Sequence, residues 1–160
     1  MPDTPLFLAE RLKSEGEKTA AFFAALNADQ WQAIVYTENA EWRVRDVLAH
    51  FISAEKSFLA LFENIRNGGP GAPEDFSIDR FNVSQVAKMQ SPSQSELLAE
   101  FSKTRAEMTG WVAALSESDL LKRGRHPALG VASLAEMIKM IYLHNQMHSR
   151  DLRRVLKNDP

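Results

Sequence analysis

Apolar residues recur at three- and four-residue steps along four long stretches of the chain, and no stretch alternates at the two-residue period of a strand. The first stretch runs from about Pro5 to Leu26, with Leu8, Leu12, Ala20, Phe23 and Leu26 on one face. Thr4 stands where an N-cap belongs, and Pro5 takes the first helical position. The second runs from about Val44 to Ile65, striped by Val44, Val47, Phe51, Ala54, Phe58, Phe62 and Ile65, and the breaker cluster from Gly68 to Pro73 ends it. A shorter amphipathic piece is expected near Asp79 to Met89. The third long stretch opens on Ser91-Pro92-Ser93-Gln94, read as a capping serine, a first-turn proline and a glutamine closing a capping box. Its stripe is Leu97, Phe101, Met108, Trp111 and Leu115. The fourth opens on Ser133 and Glu136, a second capping box, and carries Leu134, Met137, Ile141, Leu152 and Val155.

Four amphipathic helices of about 20 residues can bury their stripes only against one another, which predicts an all-α four-helix bundle with a short extra helix in the second-to-third connection. The 160 residues suit a single domain over 1–160, and 44% hydrophobic content supplies its core. The connection from Asn27 to Arg43, with Trp31 and Trp42, is expected to fold over one end of the bundle. The absence of cysteine excludes disulfides, thiolate metal sites and a cysteine nucleophile. A net charge of −2 offers no field for nucleic acid or an anionic membrane. No secretory leader and no apolar run of roughly 20 residues is visible. The expectation is a cytoplasmic protein with no nucleic-acid or membrane partner.

The candidate chemistry lies in the histidines. His144 and His148 are four residues apart on the fourth helix, so their Cβ atoms sit roughly 6 Å apart on one face. His148 falls on the line of Ile141, Leu152 and Val155, and His144 falls at the edge of that stripe. Such a pair is more often surface decoration than a ligand set, but these two rings point inward. His50 lies beside the stripe of the second helix. If the second and fourth helices are neighbours, His50, His144 and His148 converge on one divalent transition metal, Zn, Ni or Fe, with positions left open for reaction.

The run Trp42-Arg43-Val44-Arg45-Asp46-Val47-Leu48-Ala49-His50 resembles the Trp-(Ser/Thr)-Val-Arg-Asp-Val-Leu-Ala-His signature of the DinB-like superfamily. His144-Asn145-Gln146-Met147-His148 looks like that family's closing histidine pair, and His126-Pro127-Ala128-Leu129-Gly130 is similar to a linker in many members. The resemblance implies an up-down-down-up bundle, a three-histidine metal site, frequent homodimers, and relatives that use small thiols such as mycothiol, bacillithiol or glutathione. One departure is Arg43, where the family has a capping Ser or Thr. Its side chain cannot cap a helix, and Asp46 is placed to compensate at the helix N-terminus.

Other polar residues are weighed against plainer roles. Asp46 is one turn before His50 and could orient its ring, though a helix-start acid is the commoner role. Asp151 is expected to pair with Arg154 or Arg150, Glu55 to stand on a solvated edge, and His126 to be an exposed loop residue beside Arg123 and Arg125. Asn82 could face the cleft. Trp31, Trp42, Phe51, Phe58 and Trp111 read as core. The leading expectation is a metal-dependent enzyme of thiol S-transferase or hydrolase type, acting on a small molecule such as a low-molecular-weight thiol, as a homodimer. The alternatives are a non-catalytic metal- or ligand-binding stress protein and a helical dimer with an empty site.

Overall fold

The computed structural model describes residues 3–157. Its four long helices are α1 (Pro5–Ala24), α3 (Val44–Arg66), α5 (Gln94–Ala113) and α6 (Leu134–Lys157), joined by the short helices α2 (Ala28–Trp31) and α4 (Ile78–Ala87). Side-chain pairs between helices fix their directions. Asp3 meets Lys139 and Glu15 meets Gln146, so α1 and α6 run parallel. Gln94 reaches the Phe23 carbonyl and Arg105 that of Leu12, so α5 runs against α1. Glu55 meets Arg105 and Glu63 meets Trp111, so α3 and α5 run together. The bundle is therefore up-down-down-up, as expected.

The helix starts follow from their caps. The Thr4 hydroxyl accepts from the Phe7 N–H at 3.1 Å. Ser133 and Glu136 exchange bonds of 3.0 and 3.2 Å at the head of α6. Arg43 does not cap with its side chain. Its backbone N–H donates to Asp46 Oδ2 at 2.9 Å, which places the acid at the start of α3 as expected. The start of α5 differs from expectation: Ser93, not Ser91, is the N-cap, and Glu96, not Gln94, closes the box. Gln94 is freed to tie α5 to the last turn of α1 through the Phe23 carbonyl at 3.0 Å.

A second difference is β structure where the sequence shows no strand period. β1 (Ile34–Tyr36) pairs antiparallel with β2 (Trp42–Arg43), and β3 (Arg123–His126) with β4 (Gly130–Ser133). Strands of two to four residues are too short to display alternation. The first hairpin and α2 cover one end of the bundle, with Trp31 buried beneath them. The Pro70–Ala72 loop lies on β3, where the Arg125 N–H donates to the Pro70 carbonyl at 2.9 Å and the Ala72 N–H to the Arg125 carbonyl at 2.8 Å. Gly71 sits there at φ +89°, and a Cβ would stand 2.5 Å from the Arg125 backbone.

Candidate metal centre

His50 lies two turns into α3, where the stripe Val44, Val47, Leu48 and Phe51 turns it toward α6 and leaves it 3% exposed. His144 and His148 stand half-buried on the facing side of α6. The three rings meet. His50 Nε2 is 3.1 Å from His144 Nε2, and His148 Nε2 is 3.0 Å from the same atom. All three ligand atoms lie within 4.8 Å of one another, a group that could hold a metal ion.

Counting protons tests whether these residues fit an ion. Tyr36 Oη donates to Asp151 Oδ2 at 2.5 Å and lies 2.7 Å from His148 Nδ1. Its one proton is committed to the carboxylate, so His148 Nδ1 carries the hydrogen of that second bond and His148 Nε2 presents a lone pair. A proton on His144 Nε2 serves one of its two short contacts and leaves the other as lone pair against lone pair. A cation among the three nitrogens removes that repulsion. Two imidazoles on one ion at about 2.0–2.1 Å place their nitrogens about 3.0–3.4 Å apart, close to what is seen. The donor set fits a divalent transition metal.

The surroundings keep the rings neutral. Burial, with His144 and His148 beside it, holds His50 well below the usual histidine range. Burial and the neighbouring His148 push His144 down to about 3. His148 is also lowered by burial, opposed by the Asp151 charge. Burial and the bond to Asp151 raise the Tyr36 phenol, so it stays a proton donor. Trp42 packs on His50 with ring centroids 5.1 Å apart, and Phe51 touches both His144 and His148.

The remaining candidates divide. Asp46 does not reach His50; it is held by Arg43, Arg45 and Gln90 at the start of α3. Asp151 pairs with Arg154 as expected and adds the Tyr36 contact, which sequence reasoning missed. The run Ile34-Val35-Tyr36, β-branched and aromatic, was the available signal for that strand. Trp42, expected in the core, is half-buried and lines the site. Glu55, expected on a solvated edge, is 3% exposed and bonded to Arg105 Nε at 2.7 Å. Arg105 also donates to the Leu12 carbonyl and to the amide oxygen of Asn145 turned toward it. His126, expected exposed in a loop, is 3% exposed at the end of β3 and stacked on Phe58 at 5.0 Å. Arg123 and Arg125 stay at the surface, bonded to the Val131 carbonyl and to Glu74.

Two chambers flank the histidines. One of about 250 Å³ is lined by all three together with Tyr36, Trp42, Glu38 and Asp79. The other, about 480 Å³ and mostly carbon-walled, is lined by His50, His144 and His126 among apolar side chains. Asn82 lines both, so it does face the cleft.

The model of the DinB superfamily matches residues 11–152. The chain belongs to the DinB superfamily. Solved structures carry the same fold across this superfamily member's length. A structure of the colibactin self-resistance protein ClbS in complex with a dsDNA has a TM-score of 0.77 at 13% identity, covering 100% of this chain and 99% of that one. The sibling lethal factor precursor DfsB has a TM-score of 0.75 at 15% identity, covering 98% and 97%. YfiT from Bacillus subtilis, described as a probable metal-dependent hydrolase with an unusual four-helix bundle topology, has a TM-score of 0.67 at 13% identity, covering 96% and 82%. No curated protein sequence matches the chain. At these identities the likeness is one of fold.

Proposed function

We propose that this DinB-superfamily chain is a metal-dependent enzyme in which His50, His144 and His148 hold a divalent transition metal, Zn, Ni or Fe. The observation that carries the reading is the meeting of three Nε2 atoms at 3.0–3.1 Å around His144, with the His148 lone pair committed to that point. When bound, such an ion lowers the pKa of a water or thiol it touches and supplies a nucleophile near neutral pH. The protein does the rest. Tyr36 and Asp151 hold the His148 ring in the tautomer that offers Nε2, while Trp42 and Phe51 fix the planes and shield the rings from water. The two chambers leave room for a small-molecule substrate and a second reactant, which favours thiol S-transfer or hydrolysis.

Elemental analysis of the native protein, repeated on His148→Ala, tests the centre. About one transition-metal ion per chain, lost in the variant, is expected. Metal-free native protein that also shows no thermal shift with Zn²⁺ or Ni²⁺ sinks the reading. Thiol-transfer and hydrolysis panels on loaded and stripped protein test the chemistry.

A second reading, a non-catalytic metal- or ligand-binding protein, draws on the neighbouring carboxylates. Asp46, Glu55 and Asp151 are each tied to other side chains, which leaves none of the three free to act as a general base. Tight ligand binding without turnover in any panel favours it. DNA is a partner of ClbS in its solved structure. For this chain we propose none, since its net charge is −2 and Glu38 and Asp79 line the smaller chamber. A salt-sensitive gel shift at nanomolar protein overturns that.

A further inference from the structure

The larger chamber is unusual in carrying no Lys, Arg, Asp or Glu on its walls, among the described residues. Outside the three-histidine group, its wall also holds a buried polar atom with nothing to bond. His126 Nδ1 accepts from the backbone N–H groups of Ala128 and Leu129 at 3.0 and 3.2 Å. Nδ1 is thereby a lone pair, and the hydrogen of the neutral ring sits on Nε2. That Nε2 is buried and has no partner in the protein. Burial pushes the ring down to about 4, so it is neutral at physiological pH. Stacking on Phe58, with planes 16° apart, fixes the ring. A lone buried N–H donor is costly and therefore uncommon. In a chamber that His50 and His144 also line, it is a donor waiting for an acceptor.

We propose that the larger chamber takes an uncharged, mainly apolar molecule bearing a carbonyl-type acceptor, and that His126 Nε2–H is the donor that recognises that acceptor. The side chains of the chamber walls offer no counter-charge to offset desolvation of a carboxylate or ammonium. A buried donor with no acceptor in the protein calls for a hydrogen-bond acceptor on an otherwise greasy body. The Pro70–Ala72 loop, clamped to β3 through Gly71, fixes the wall beside His126. The proposal rests on the three-histidine reading only in naming this occupant a substrate.

The test is calorimetric titration at neutral pH with three probes of one shape: butyrophenone, butylbenzene and phenylbutyrate. Metal-loaded and metal-stripped protein are both titrated. Butyrophenone should bind about tenfold tighter than butylbenzene. In the metal-stripped protein, where no cation can take the carboxylate, phenylbutyrate should bind more weakly than the ketone by at least about tenfold. His126→Asn keeps an amide oxygen for the Ala128 and Leu129 N–H groups and withdraws the donor at Nε2. It should erase the ketone preference and retain butylbenzene binding. Imidazole ¹H–¹⁵N spectra of the unmutated protein give a readout that needs no variant: the His126 Nε2–H resonance should move with butyrophenone and stay with butylbenzene. Equal affinity for ketone and hydrocarbon, tightest binding of phenylbutyrate to the metal-stripped protein, an unmoved resonance, or no binding at all overturns the proposal. A ketone preference in protein that binds no metal sinks only the metal reading; bound metal with no ketone preference sinks only this one.

Discussion

At the scale of single residues, the site depends on where three hydrogens sit. Tyr36 is the residue that sets one of them, because its hydroxyl donates to Asp151 and so accepts from His148. Tyr36→Phe keeps the ring against Trp42 and removes the oxygen. Metal affinity is expected to fall about 10–100-fold with the fold intact, read by competition with a chromophoric chelator. The histidine pair and His50 were readable from spacing and from the stripes they adjoin. Tyr36 was not, because its partner is 112 residues away and nothing local announces it. His126 was misjudged for a related reason. Arg123, Arg125 and Pro127 make its neighbourhood look like surface, and its burial comes from Phe58 on another helix.

At the scale of elements, the long helices were legible because each repeats its stripe over five or more turns, while the short hairpins give too few residues for a period to register. Between helices, one charged contact organises the middle of the bundle. Arg105 on α5 meets Glu55 on α3, the Leu12 carbonyl of α1 and Asn145 of α6. No sequence pattern pairs residues 50 apart on different helices, so Glu55 looked solvated. Arg105→Ala leaves Glu55 buried and uncompensated and should cost about 3–5 kcal/mol in urea unfolding, whereas the double variant Glu55→Met with Arg105→Met should recover most of it. Gly16 belongs to the same contact. A Cβ there would stand 2.7 Å from Arg105 Cγ, so Gly16→Ala, normally favourable within a helix, should destabilise by about 1–3 kcal/mol.

At the scale of the whole molecule, the buried rings tie stability to acidity. His50, His144 and His126 are all depressed from the ordinary 6.5, His144 to about 3 and His126 to about 4. Below pH 6.5 the unfolded chain takes up these protons while the folded one does not. Stability is therefore complete above that pH and falls as the pH drops toward 4. The urea midpoint of metal-stripped protein should be lower at about pH 5 than at about pH 7. An unchanged midpoint would mean the rings are hydrated in solution. No helix among the described residues is long and apolar enough to cross a membrane. We further propose a homodimer, checked by light scattering on the eluting peak.

The two halves of the histidine cluster reach it from helices running in opposite directions, with His50 and His144 separated by 94 positions along the chain. An unfolded chain keeps at most the local pair on α6, so an ion seated among all three rings works as a clasp across most of the polypeptide. Loading should therefore raise the melting temperature of the entire bundle in one cooperative step, rather than stiffening one corner of it.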